Sequence, residues 1–154
     1  MPANISTHIT YDEATKSQTA IRQGIDNTPN AEQLAAMRLV AHNIFEPVRK
    51  HFGGKPIAVT SFFRCEALNQ AIGGSAFSQH RKGEAIDVDG DVHGDPGNTE
   101  IFHFIRENLN FDQLIWEYGT DDKPDWVHCS YKAEGNRKQV LRAVKGRGYI
   151  PWTP

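Results

Sequence analysis

The chain is short of cysteine, of long apolar runs and of surplus charge, and each shortage removes a class of function. Cys65 and Cys129 are the only cysteines among 154 residues. Without a secretion signal they are expected to be free thiols rather than the staples of a disulfide scaffold. No apolar run approaches the roughly 20 residues of a membrane span. The N-terminus, Met1-Pro2-Ala3-Asn4-Ile5-Ser6-Thr7-His8, has neither the basic head nor the apolar core of a signal peptide. No membrane insertion is expected, therefore, and the expected compartment is the cytoplasm. A net charge of −2 offers no basic surplus for nucleic acid or an anionic lipid surface. Internal repeats, low-complexity tracts and interdomain linkers are also missing. What remains is 38% hydrophobic and 23% charged, the composition of one soluble domain over residues 1–154 with a real core. A monomer is the expected state.

The patterning predicts an α+β fold, a small antiparallel sheet with helices packed on one side. Short helical pieces are expected at 11–16 and 19–23. Asn30 can cap a helix over 31–51, with Leu34, Met37, Val40, Ala41, Ile44, Phe45 and Val48 as its buried stripe and Pro47 bending its last turn. Residues 56–61 read as a buried strand, 66–72 as a short helix and 85–88 as a strand. A helix follows to Asn108 from a cap at Asn98 or Thr99. Strands are then expected at 111–118, 126–132 and 138–144.

The stretch from Phe77 to Asp89 carries the first chemistry. His80 and Asp87 lie seven positions apart across a Lys82-Gly83 break, and Asp87 sits among Ala85, Ile86 and Val88. A carboxylate in such a run is costly to bury unless a cation or several donors face it. A divalent metal is one such cation, and His plus Asp is ordinary zinc ligation, with a catalytic site usually taking three protein ligands. The plainer alternative is a solvated His80 and an Asp87 that caps a turn. Among the other histidines, His128 stands out. In a strand, Trp126, His128 and Ser130 share one face while Val127 and Cys129 share the other. His128 can thus meet Asp87 across neighbouring strands, and Cys129 should not be a ligand.

Ser78-x-His80, Gly83-x-Ala85-x-Asp87 and Asp125-Trp126-Val127-His128 together resemble the zinc D-alanyl-D-alanine carboxypeptidase family. D-Ala-D-Ala dipeptidases and phage endolysins that cut L-alanyl-D-glutamate bonds are related to it, and its fold is the one shared with the hedgehog signalling domain. The resemblance spans about residues 61–131. It implies a zinc metallopeptidase acting on peptidoglycan stem peptides, with His80, Asp87 and His128 as Zn²⁺ ligands. It places the catalytic acid–base at Asp125, where many relatives carry Glu. Arg64 falls where the family binds the substrate carbonyl or carboxylate, and Ser78 where the dipeptidases contact substrate. Trp126 is a candidate wall of the cleft. Glu117, on the neighbouring strand, is the alternative base, ranked behind Asp125. Other fates for these residues are a salt bridge for Arg64, core packing for Trp126 and a surface ion pair for Glu117.

The acidic loop Asp89-x-Asp91-x-x-x-Asp95 invites a calcium reading, since calcium takes oxygen ligands at alternating positions. No Glu completes the pattern, and a solvated loop that caps the next helix is the alternative. For the whole chain, the competing function is a non-catalytic, zinc-stabilised wall-binding or virion module. A cytosolic dipeptidase is a third. Wall chemistry without an export signal suggests a phage or prophage lysis enzyme, held in the cytoplasm until release or carried in the virion.

Overall fold

The computed structural model describes residues 3–154. Strands β1 (Ala58–Ser61), β2 (Ala85–Asp89), β3 (Gln113–Glu117), β4 (Trp126–Ser130), β5 (Gln139–Val144) and β6 (Gly148–Pro151) form one sheet in the order β1-β2-β4-β3-β5-β6. The period-two alternation of side chains divides it into two unlike faces. Ile86, Val88, Leu114, Trp116, Val127 and Cys129 lie in the hydrophobic core. The other face carries Asp87, Ile115 and His128 in one cross-strand row, and Glu117 opposite Trp126 in the next.

Helices cover the apolar face; the short α1 (Tyr11–Thr15) and α2 (Gln18–Gln23) come first in the chain, and the short α5 (Glu66–Ala71) follows β1. Asn30 caps α3 (Ala31–Val40) through a capping box with Gln33, each side chain bonded to the other's backbone N–H at 2.8 Å. The helix continues through a π-helical turn, Ala41–Phe45, into α4 (Glu46–His51). Pro47 explains the π turn, because it has no N–H to donate and its ring would crowd the carbonyl four residues back. The irregularity thus precedes Pro47 and does not fall in the last turn. Met37, Val40, Ala41, Ile44, Phe45 and Val48 are buried along the expected stripe. Ile101, Phe102 and Ile105 of α6 (Asn98–Asn108) complete the layer. Burial of an aromatic such as Phe45 or Phe102 stabilises by roughly 2–3 kcal/mol, so the driving force for folding sits on this side and leaves the opposite face free for polar groups.

The architecture is α+β as the sequence predicts, with further departures in detail; α6 is capped at Gly97 and not at Asn98 or Thr99. Residues 131–138 cross over β3, so β5 pairs with β3 in parallel while every other pairing is antiparallel. The stretch at 56–61 is a half-exposed edge strand of four residues, and the deeply buried side chains are the flanking Ile57, Phe62 and Phe63. β6 was not anticipated. Cys65 and Cys129 are free thiols, and Cys129 is buried in the core. No helix among the described residues is long and apolar enough to cross a membrane.

Candidate active site

His80 is set by a turn that the sequence spells out. The Ser78 hydroxyl caps a 3-10 turn, Gln79–Lys82, accepting from the His80 N–H at 3.3 Å. Gly83 then reverses the chain into β2 at φ 75°, and a Cβ there would fall 2.5 Å from the Gln33 carbonyl oxygen of α3. Only glycine meets both demands. The His80 ring is buried, with Nδ1 2.7 Å from the Phe62 carbonyl oxygen. A carbonyl only accepts, so Nδ1 carries the proton and Nε2 presents a lone pair.

That lone pair lies 3.3 Å from Asp87 Oδ1. His128, opposite Asp87 in the β2–β4 register, brings Nδ1 to 2.9 Å from the same oxygen. One ligand atom from each of the three lies within 4.8 Å of the others. Desolvation pushes the His80 imidazole down toward its neutral, metal-binding form, more than the charge of Asp87 raises it. Desolvation would raise Asp87, but the two imidazoles outweigh it and hold the carboxyl well below the usual range.

The donor set fits zinc. A buried lone pair facing a carboxylate oxygen repels it unless a cation or proton intervenes, and burial disfavours the proton on His80. Tetrahedral zinc with bonds of about 2.0–2.1 Å sets its ligands about 3.3 Å apart, the separation found between His80 and Asp87. The Phe62 carbonyl supplies the outer hydrogen bond that fixes a ligating histidine's tautomer. Asp87 and His128 keep 14% and 11% of their side-chain surface, so the cluster opens to solvent.

A family model for peptidase M15 matches residues 7–130, a span that contains Arg64, Ser78, His80, Asp87, Glu117, Asp125 and His128. The chain belongs to the peptidase M15 family. M15 peptidases are zinc-dependent, and the His-Asp-His cluster is where this member has a group that could bind the ion. A search of curated proteins returned no match.

Two carboxylates were candidates for acid–base work in this M15 peptidase, and their settings differ sharply. Glu117 is buried on the site face, two residues along β3 from Ile115, the cross-strand partner of His128. Burial pushes its carboxyl up to about 7; His128 pulls it down, Asp87 adds to the rise and Arg64 opposes it. No Lys or Arg lies within ion-pair distance of Glu117 among the described residues, so the surface ion pair does not form. Asp125 is exposed, in the irregular approach to β4, with its N–H donating to the Glu117 carbonyl at 2.9 Å.

Arg64 is half-buried and forms no salt bridge among the described residues. Its Nη2 donates to Ser78 Oγ at 3.4 Å, and its Nε is buried without a partner. Desolvation lowers its pKa while Asp87, Tyr149 and Glu117 raise it, so its charge is felt by the cluster. Trp126 is half-buried on the site face and packs its ring 5.5 Å from that of Tyr118.

The acidic loop is built for capping. Asn98, fully buried, donates to Asp89 Oδ1 at 2.9 Å and accepts from the Gly90 N–H at 2.8 Å. Asp91 pairs with Lys123, and Asp95 with Lys55. Asp91 Oδ1 also accepts from the Asn98 N–H at 3.2 Å, so the loop serves the start of α6, as the capping alternative expects.

Sequence reasoning missed Asp112. Its side chain is fully buried and accepts from Gln79 Nε2 at 2.8 Å and from Arg137 Nε and Nη2 at 2.9 and 2.8 Å. It ties the turn bearing His80 to β3 and to the 131–138 crossover. A lone acid between a helix and a strand gives no local signal of such a role.

Proposed function

We propose that this M15 peptidase hydrolyses peptide bonds in peptidoglycan stem peptides, with His80, Asp87 and His128 as zinc ligands and Glu117 as general base. The observation that carries the reading is the convergence of the His-Asp-His cluster and a buried Glu117 on one open sheet face, with Arg64 just beyond the end of β1, neither Glu117 nor Arg64 having an ion-pair partner among the described residues. Zinc bound there supplies a Lewis acid and lowers the pKa of the water it holds. Glu117 takes the proton of the attacking water on its carboxylate and passes it to the leaving amine. Burial, which raises this carboxyl's proton affinity before any metal is bound, favours its holding the proton between the two steps. Arg64 neutralises negative charge on the peptide through its fixed donors. Ser78 orients Arg64, and Trp126 walls the cleft. Asp125, ranked first by its place in the motif, is the rival base.

The test is to incubate the pure protein with muropeptides and with isolated sacculi, with and without chelator, and to identify products by mass. Release of D-alanine marks a carboxypeptidase, and cleavage between L-alanine and D-glutamate marks an endopeptidase. Clearance of sacculi supports the phage or prophage lysis role. Zinc and wall binding with no product would establish the non-catalytic module instead.

A further inference from the structure

The site face of the sheet continues past Glu117. Glu117 of β3 is opposite Ala143 of β5, and Ala143 is opposite Tyr149 of β6. Cross-strand partners share a face, so Trp126, Glu117, Ala143 and Tyr149 form one row across four strands. Ala143 is the smallest side chain in that row, and neighbouring strands are only about 4.8 Å apart. A tyrosine leaning over it can bring its hydroxyl to the Glu117 side of the cleft. Charge coupling agrees: Tyr149 raises Arg64, and Glu117, Tyr118 and Asp87 raise the Tyr149 phenol, after the larger effect of its own desolvation. Packing does not account for the residue, which keeps 61% of its surface exposed. β6 lies beyond the residues matched by the family model, 7–130.

We infer that Tyr149 touches substrate, its phenol donating a hydrogen bond beside Arg64 to a negatively charged oxygen of the bound peptide. The inference rests on the peptidase reading above. Such an oxygen has two sources: the carbonyl oxygen as it gains charge under attack, or a free carboxylate at the peptide's end. Both want the same donors, a forked guanidinium and a neutral hydroxyl that adds no countercharge to Glu117.

The experiment compares wild type and Tyr149→Phe, zinc-loaded, for kcat and KM on a stem peptide and on the same peptide with its terminal carboxylate amidated. Affinity for a phosphinate analogue of that peptide gives a readout that needs no turnover, and zinc content and Tm check the fold. Loss of the hydroxyl should lower kcat/KM at least tenfold and weaken phosphinate binding, with zinc and Tm unchanged. A fall in kcat on both peptides assigns the reacting carbonyl. A rise in KM confined to the free-acid peptide assigns the terminal carboxylate. Wild-type turnover with Tyr149→Phe within twofold on every readout overturns the inference and leaves the peptidase reading intact. No turnover by wild type overturns the reading, and the inference with it.

Discussion

At the residue scale the decisive contrast is between Glu117 and Asp125. A general base is judged first by reach and then by pKa. Glu117 is buried on the face that carries the cluster and is raised to about 7; Asp125 faces solvent. Glu117→Gln is expected to keep zinc and fold but lose roughly 10²–10⁴ in kcat, while Asp125→Asn stays within a few-fold. Steady-state rates with metal analysis of both variants check this, and the reverse ranking would restore Asp125. Asp112 bears on stability instead. Its hydrogen bonds from Arg137, then from Gln79, hold its carboxyl well below its ordinary 3.8. A depressed pKa means the native state binds its proton less readily than the unfolded chain. The stabilisation is complete above about pH 5 and drains away as pH falls through and below 3.8. Asp112→Ala should cost on the order of 3 kcal/mol at pH 7, and its deficit against wild type should shrink as denaturant melts are taken from pH 7 to pH 3.

At the scale of elements, the turn between His80 and β2 is the joint on which ligand spacing depends. Gly83→Ala must hold a side chain in the left-handed region and push it against the Gln33 carbonyl oxygen at 2.5 Å. The expected loss is about 2 kcal/mol or more. Zinc affinity should fall too, because the displaced turn moves His80 relative to Asp87; calorimetric zinc titration beside a denaturant melt separates the two effects. Gly83 was readable in the sequence as the break between two candidate ligands, and so was the Val127/His128 alternation that sends one residue to the core and the other to the site. Those signals are local. β6 was not readable: Gly148-Tyr149-Ile150-Pro151 is four residues long, with a glycine and a proline at its ends. Nor was the parallel β3–β5 pairing, since it depends on where residues 131–138 cross. The setting of Glu117 was hidden for the same reason. Its sequence neighbours resemble any strand end, and only the register of β3 on β4 puts it beside His128.

At the scale of the whole molecule, the sheet separates two tasks. One face meets the helices and holds the core; the other concentrates charge that the core could not accept. Asp87 and His128 are directly paired in β2 and β4, interior strands of the sheet, so a metal bound there clips the middle of the fold and links it to the turn that carries His80. A ligand that binds only the folded state adds RT ln(1 + [L]/Kd) to its stability, about 2.7 kcal/mol at a hundredfold excess over Kd. For a domain of this size each kcal/mol is worth about 2–4 °C in Tm. Zinc at that excess should therefore raise Tm by roughly 5–10 °C over chelator-treated protein. The increment should grow with the logarithm of free zinc, and Glu117→Gln should retain it. His80→Ala and His128→Ala should lose it, because removing one of three ligands leaves too few donors to hold the ion. Scanning calorimetry across a zinc series decides the matter: a zinc-dependent rise that survives both histidine substitutions would place the metal elsewhere in the molecule.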